Sequence, residues 1–216
     1  MSKTTPPLRN ERARLDMRIL AFSDLHGNAD TAREIVRASG DADVVVGAGD
    51  FATKGIGLED TVRFLKELIV PTVLVAGNHD RLAGLREAFC GQGNVHILHG
   101  EAAAIGGVDF FGLGFEIPAG VAEPWNQRLE EAEAAALFTR CPPHAVLVTH
   151  APPHGVADMQ RDGTHDGSRA VRDAVRDLAP RLHLCGHIHH AWGTCGLVGN
   201  CPVHNLGPSL NWFTVR

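Results

Sequence analysis

The chain has 216 residues, 44% of them hydrophobic, and a formal net charge of -5 with its 13 histidines counted as neutral. This length fits one domain that buries about 70% of its unfolded surface, and the acidic balance, without any block of five Lys or Arg, argues against a long nucleic acid as partner. The five cysteines form no CxxC pair, which argues against a disulfide framework or a zinc finger. We therefore expect reduced thiols in a cytoplasmic protein.

The first 16 residues differ in amino-acid composition from the rest. They are polar, contain prolines and lack the apolar core of a signal peptide. We expect residues 1–16 to be a disordered leader, with translation starting at Met1 or at Met17, and residues 17–216 to form a single domain. No apolar run approaches the roughly 18 residues of a membrane span, so no membrane association is expected.

Strands and helices alternate through the first half of the chain. Apolar β-branched runs predict buried strands, and apolar residues at helical spacing predict helices between them. The predicted order is strand 19–22, helix 29–39, strand 43–47, helix 58–69, strand 72–76 and a short helix at 81–89. Such a βαβαβ pattern favours parallel strands with right-handed crossovers.

The second half begins with short strands separated by glycine-containing turns, which predicts an antiparallel meander over 95–98, 101–105 and 108–113. The remaining predicted elements are a helix at 124–138, a strand at 145–149, a helix at 167–178, a strand at 182–185 and three closing segments around Trp192, Val203 and 210–215. The expected fold is therefore α/β (α+β), with two facing mixed sheets and helices outside them.

Five polar motifs stand where predicted strands end. In chain order they are Asp24-x-His26, Gly49-Asp50, Gly77-Asn78-His79-Asp80, His150 and Gly186-His187-x-His189. Ligands of open α/β sheets gather at the carboxyl ends of the strands, so these side chains should converge at one edge. A mixture of carboxylate, amide and imidazole ligands suits Mn, Fe, Zn or Ni without selecting among them. The motifs supply enough ligands for two adjacent ions.

This set, DxH, GD, GNHD, H and GHxH in that order, resembles the calcineurin-like metallophosphoesterases over residues 18–210. The resemblance implies a four-layer sandwich and two divalent metal ions, with Mn expected to support activity in vitro. It implies one ion among Asp24, His26, Asp50 and His189, and the other among Asp50, Asn78, His150 and His187. Asp50 would bridge the two ions, which agrees with a carboxylate having two oxygen atoms while an imidazole offers one lone pair.

The resemblance also implies a mechanism and a substrate class. His79, which is not counted as a ligand, would protonate the leaving oxygen, and a metal-bound hydroxide would attack phosphorus directly, without a phosphoenzyme. The stretches THAPP (149–153) and RLHLCGHIHHAWG (181–193) resemble the small-chain MPPED-type branch. That branch implies hydrolysis of small phosphodiesters, cyclic nucleotides among them.

Other functions stay open at this point. A phosphomonoesterase and a non-catalytic metal-binding scaffold of the same fold are alternatives, although such scaffolds lack ligands or the acid histidine that this chain keeps. A protein phosphatase is less favoured, because Thr53 and Lys54 stand where that branch has an aspartate and an arginine. The acidic balance argues against a nuclease. The expected partner is a small phosphorylated substrate, and the oligomeric state is open, a homodimer being one option.

Substrate contacts are predicted in two places. Lys54 follows Asp50 closely and offers a positive charge, the alternative being an ordinary surface lysine. The loop 151–166 starts directly after His150 and carries His154, Arg161 and His165, for which the alternative is a solvated loop. Five further histidines lack a partner cluster and are expected to be structural, namely His96, His99, His144, His183 and His204.

Overall fold

A computed structural model describes residues 16–216. Residues 1–15 of the predicted leader lie outside the described residues. The strands are β1 (Met17–Phe22), β2 (Val44–Gly47), β3 (Thr72–Leu74), β4 (Val95–Ile97), β5 (Glu101–Ile105), β6 (Val108–Leu113), β7 (Val146–Thr149), β8 (Leu182–Cys185), β9 (Cys195–Val198), β10 (Cys201–Asn205) and β11 (Asn211–Val215). The α-helices are α1 (Ala29–Ala38), α2 (Leu58–Leu65), α3 (Leu82–Ala88), α4 (Glu131–Phe138) and α5 (Arg169–Leu178).

The strands form two mixed sheets, as predicted. The first has the order β11-β1-β2-β3-β4, with β11 antiparallel to β1 and the other neighbours parallel. The second has the order β5-β6-β7-β8-β10-β9, with parallel pairs in the middle and antiparallel pairs at both edges. In each sheet the parallel strands end at one edge, which aligns the loops that follow them.

Alternate residues of the strands face opposite layers. On the inner faces, Ile19, Val46 and Val148 belong to one buried cluster between the sheets. On the outer faces, Leu20 packs in a cluster with residues of α1, α2 and α3, and Leu147 packs in a cluster with residues of α4 and α5. Each fully buried large side chain contributes about 1.5–3 kcal/mol. The layers are therefore helices, sheet, sheet and helices, which confirms the predicted four-layer sandwich.

One strand was assigned to the wrong partner. β4 is parallel to β3 in the first sheet, with Thr72 opposite Val95, and takes no part in an antiparallel meander. Only β5 and β6 form the predicted antiparallel pair. The chain changes sheets directly after β4, where Gly100 has a φ of +72° that glycine adopts easily. A glycine turn between short strands can join two sheets as well as two neighbours, and the sequence pattern does not distinguish these cases.

The helix predicted at 124–138 begins only at Glu131. Glu130 caps it, and the side chain of Glu133 accepts a hydrogen bond from the Glu130 amide in return. The preceding segment is irregular because its amides bond elsewhere: Gln127 N–H donates to the Asn78 carbonyl and Leu129 N–H to the Glu116 carbonyl. The closing segment around Trp192 follows a 3₁₀ turn, His189–Ala191. Within the described part of the chain, every helix is too short or too polar to cross a membrane.

Candidate metal centre

The loops that carry the predicted ligands meet at the carboxyl edge of both sheets. Within the first sheet, Asp24 N–H donates to the Gly49 carbonyl at 2.8 Å and His26 N–H to the Asp50 carbonyl at 2.9 Å. Within the second, Gly186 N–H donates to the His150 carbonyl at 3.0 Å. The His187 amide then contacts the Asp24 carboxylate of the other sheet at 3.1 Å. The strand-end motifs of the two sheets thus form one cluster.

The first group of ligand atoms comes from Asp24, His26 and His189, and these atoms lie within 4.8 Å of one another. His26 Nδ1 is 3.2 Å from the Ala52 carbonyl, which accepts its N–H and leaves a lone pair on Nε2. That nitrogen lies 3.1 Å from His189 Nε2, and His189 Nε2 lies 3.8 Å from Asp24 Oδ1. These three side chains could hold one cation between them.

The second group repeats this arrangement deeper in the fold. His150 Nδ1 is 2.8 Å from the Ala48 carbonyl, which accepts its N–H, so Nε2 is the ring nitrogen that faces the ligand cluster, 3.1 Å from Asn78 Oδ1. Asp50 Oδ2 lies 3.4 Å from His150 Nε2 and 3.5 Å from His26 Nε2. The Asp50 carboxylate therefore stands between the two groups, in contact with an imidazole of each.

The electrostatics of this cluster also fit cations. Burial alone would raise the pKa of Asp50, but the surrounding histidines, His150 foremost, lower it below the usual range. Burial would lower the pKa of His150, yet the Asp50 charge raises it to about 9. In the metal-free protein a proton on His150 thus balances the buried carboxylate, and a metal ion would take the place of that proton. Burial, followed by the neighbouring His150, lowers the pKa of His187 to about 3 and keeps its ring neutral.

Hydrogen bonds hold the carboxylate of Asp24 in place. It accepts from Ser23 Oγ, from Trp192 Nε1 at 3.2 Å and from the His187 amide. Burial raises the pKa of Asp24 to about 6. Trp192 packs against His189, with ring centroids 4.2 Å apart, so the same indole supports two of the predicted ligands.

Asp80, the last residue of the GNHD motif, received no role from the sequence. Its buried carboxylate accepts hydrogen bonds from the amides of Phe51 at 3.2 Å, Ala52 at 2.8 Å and Gly77 at 2.8 Å. These amides belong to two different loops. Asp80 therefore ties the loop after β2, which carries Asp50, to the loop after β3, which carries Asn78.

His79 has a defined tautomer. The Lys54 backbone N–H donates to its Nδ1 at 2.8 Å, so the neutral ring carries its proton on Nε2, which lies 4.0 Å from Asp50 Oδ2. Burial lowers the pKa of His79, against the raising effect of Asp50. Trp125 packs on the ring at a centroid distance of 4.6 Å, and Lys54 Nζ lies 5.4 Å from the Trp125 ring centroid. A proton donor thus faces the ligand cluster in a fixed orientation.

The family model of the calcineurin-like phosphoesterases matches residues 17–191, which include every one of these motifs. The chain belongs to this family. Members of the family typically bind two divalent metals and hydrolyse phosphoesters. Among curated proteins, none matches the sequence significantly.

Several solved structures share the fold of this family member. TT1561 of Thermus thermophilus aligns with a TM-score of 0.73 at 20% identity, over 93% of this chain and 100% of that one. Phosphopantetheinyl hydrolase from Mycobacterium tuberculosis aligns with 0.58 at 16% identity, over 89% and 90%. A dimetal phosphatase from Danio rerio aligns with 0.54 at 14% identity, over 89% and 88%. At these identities the likeness concerns the fold.

The segment 114–130, between β6 and α4, places three residues at the site that the sequence reading missed. Trp125 contacts His79, Asn126 accepts a hydrogen bond from the Asn78 side chain, and Glu116 lies 3.8 Å from His187. They belong to no motif and follow no period. The available signal was negative: Pro118, Pro124 and two glycines interrupt the helical pattern, and irregular segments longer than about 12–15 residues are usually functional or disordered.

The loop 151–166 is held in place beside the ligand cluster. The buried Asp158 carboxylate accepts hydrogen bonds from the amides of Gly155 and Gly167 and contacts His165 Nδ1 at 2.7 Å. A cleft of about 380 Å³ is lined by residues of this loop, Arg161 and His165 included, and by His190 of the 3₁₀ turn. Among the described residues, no hydrogen bond or ion pair joins His154, Arg161 or His165 to a predicted metal ligand.

Proposed function

We propose that this protein is a dinuclear metal-dependent phosphoesterase that hydrolyses small phosphodiesters, a class that includes cyclic nucleotides. The observation that carries the proposal is the close approach of predicted ligand atoms in two pairs: His26 Nε2 lies 3.1 Å from His189 Nε2, and His150 Nε2 lies 3.1 Å from Asn78 Oδ1. Asp50 lies between the two pairs. A metal ion beside each pair would take the place of the proton that otherwise joins the two atoms, and there are two such places.

The residues divide into two ligand sets that share one member. Asp24, His26, Asp50 and His189 would hold one ion, and Asp50, Asn78, His150 and His187 the other. Their oxygen and nitrogen atoms suit Mn, Fe, Zn or Ni. When bound, two such ions lower the pKa of a coordinated water and neutralise charge on a phosphoryl group.

His79 would supply the proton that the leaving group requires. Its Nε2–H lies on the side of the ligand cluster, because the Lys54 amide occupies Nδ1. A donor whose tautomer is fixed before substrate binds loses no free energy in finding the productive orientation. The partner of Nδ1 is a backbone amide rather than a carboxylate, which does not support the alternative of a protein phosphatase.

The open side of the cluster would receive the substrate. Side chains of His26, His79 and His189 are partly exposed there, and Lys54 Nζ could meet a phosphate oxygen. The cleft lined by Arg161 and His165 adjoins the turn that carries His189, and most of its lining is apolar. It would accommodate the organic group of a small diester. The acidic net charge also favours a small substrate over a long polyanion.

Metal removal tests the proposal. Protein stripped by a chelator should not hydrolyse an aryl phosphodiester such as bis(p-nitrophenyl) phosphate, and Mn should restore turnover, which should exceed that on the corresponding monoester. His79→Ala should keep two ions per chain but lose most turnover on diesters with poor leaving groups, such as cyclic nucleotides and a phosphopantetheinyl diester. His96→Ala, on a residue of β4 outside the ligand cluster and the cleft, is the matched control.

Two results would contradict the proposal. Activity that persists in metal-free protein would exclude the metal mechanism. Equal turnover of His79→Ala and His96→Ala on poor leaving groups would remove His79 from the role of proton donor. A preference for aryl monoesters would replace the diester assignment with a phosphomonoesterase and leave the metal assignment in place.

A further inference from the structure

One chain of polar contacts links two residues that the proposed function assigns to the same ion. Asn78 Nδ2 donates to Asn126 Oδ1 at 2.9 Å. Asn126 Nδ2 donates in turn to Glu116 Oε2 at 2.6 Å. The other oxygen, Glu116 Oε1, lies 3.8 Å from His187 Nε2. Asn78 and His187 are thus connected by two side chains that neither the motifs nor the family resemblance singles out.

The segment that supplies these two side chains is fixed to the site by its backbone. Phe115 N–H donates to the Ala76 carbonyl at 2.8 Å, and Gln127 N–H donates to the Asn78 carbonyl at 2.9 Å. Both ends of segment 114–130 are therefore bonded to the loop after β3. Asn126 is itself buried. The segment is therefore attached to the site near both Glu116 and Asn126, while most of its residues 118–124 are exposed.

The contact with Asn126 decides which end of the Asn78 amide faces the site. An amide has a donor end and an acceptor end, and only its oxygen can bind a cation. Because Nδ2 is occupied by Asn126 Oδ1, Asn78 Oδ1 is directed at His150 Nε2. Without Asn126, rotation of the amide by half a turn would place an N–H group where the ligand oxygen belongs.

Glu116 acts on the other residue. At 3.8 Å its carboxylate is in electrostatic contact with the His187 ring without a hydrogen bond. A carboxylate beside one ring nitrogen favours a proton there and leaves the lone pair on the other nitrogen, and such partners orient histidine ligands and increase their basicity. The Asn126 side-chain amide also donates to the Val121 carbonyl at 2.9 Å. Both Asn126 amide hydrogens are therefore bonded, and this fixes the side chain that holds the Glu116 carboxylate.

We propose that Glu116 and Asn126 are positioning residues that set the affinity of the second metal subsite, the one formed by Asp50, Asn78, His150 and His187. The inference rests on the proposed function, because it assumes that this subsite binds an ion. It adds two residues outside the ligand set. It also assigns a purpose to the irregular segment between β6 and α4.

Metal titration of the metal-free protein tests this proposal without reference to activity. Stepwise binding of Mn would be followed by calorimetry, and formation of the coupled Mn pair by electron paramagnetic resonance. In Glu116→Gln, the dissociation constant of one ion should increase about 10- to 100-fold, as found when outer partners of metal ligands are removed. The other ion should bind as in wild type. Glu123→Gln, on an exposed residue of the same segment, is the matched control.

Asn126→Ser provides a second, independent variant. It should weaken the same ion by a comparable factor, and the double variant should lose less than the product of the two single losses, because contacts in one chain are not additive. Thermal unfolding of metal-free Glu116→Gln should match that of Glu123→Gln. That control separates positioning of ligands from a general loss of structure.

The outcomes distinguish the proposals. If wild type binds fewer than two ions, the proposed function fails. If wild type binds two ions and the dissociation constants of Glu116→Gln and Asn126→Ser stay within about twofold of it, only the present inference fails. Equal weakening of both ions together with a lower unfolding temperature would show a structural role, and loss of one ion by more than about 1,000-fold would make Glu116 a ligand itself. Either result would overturn the assignment as a positioning residue.

Discussion

Gly77 gives the sharpest test of how the backbone places the bridging carboxylate. Its φ is not in the left-handed region, so alanine is compatible with the local backbone. A Cβ at this position would lie 2.0 Å from Asp50 Oδ1 and 2.3 Å from the Asp50 nitrogen, whereas ordinary contacts start at 3.4 Å. Asp50 would have to move by more than about 1 Å, or the loop after β3 would have to move by as much. Both loops are held by Asp80, so neither can move freely.

The expected cost follows from this distance. Displacement of a catalytic group by about 1 Å reduces turnover about 100-fold, and overpacking of a buried site costs about 1–3 kcal/mol of unfolding free energy. Gly77→Ala should show both effects in aryl phosphodiester hydrolysis with Mn and in urea unfolding. Gly93→Ala is the control, because a Cβ there meets nothing within 4 Å and its φ is ordinary. If Gly77→Ala binds two ions and retains kcat/KM within about threefold of Gly93→Ala, the close approach does not place Asp50.

Two further predictions concern stability. Burial lowers the pKa of His183 to about 3, so the folded protein keeps this ring neutral. The free energy of unfolding should therefore fall as the pH drops below about 6.5, by up to about 1.4 kcal/mol per pH unit. Between pH 7.5 and 5 its slope against pH should be smaller for His183→Gln than for His190→Gln, and equal slopes would contradict this. The Glu131 carboxylate accepts hydrogen bonds from Ser168 Oγ and from two amides in the first turn of α5. Glu131→Ala should therefore lower the unfolding free energy by about 1–3 kcal/mol and leave Mn affinity unchanged. Unchanged stability would show that water replaces these hydrogen bonds.

The position of the candidate metal centre could be predicted because it depends on topology. Parallel strands present their carboxyl ends at a common edge, and a polar residue directly after a buried apolar run is therefore close to every other such residue. This reasoning placed Asp24, Asp50 and His150 together although 126 residues separate the first from the last. The same reasoning assigned β4 incorrectly, since local pattern identifies a strand but not the sheet that it joins.

The features that could not be predicted depend on backbone groups and on tertiary contacts, which residue types alone do not specify. The partner of His79 Nδ1 is the backbone amide of Lys54, and any residue except proline would supply it. The fixed proton on Nε2 follows from a backbone conformation, with Lys54 at a φ of +52°. Glu116 and Asn126 were missed for a related reason: they are ten residues apart in an irregular segment, and only the fold brings them into contact.

The two subsites differ in what surrounds them, and this difference separates metal binding from substrate binding. The side chain of His189 is 48% exposed, whereas that of His150 is 0% exposed. In the buried subsite, Asp50 and Asn78 are also almost fully buried. We therefore expect a phosphate to reach the centre from the side of His189, the most exposed of the predicted ligands. Residues that determine substrate specificity should lie on that exposed side, and residues that determine metal affinity should lie in segment 114–130 beside the buried subsite.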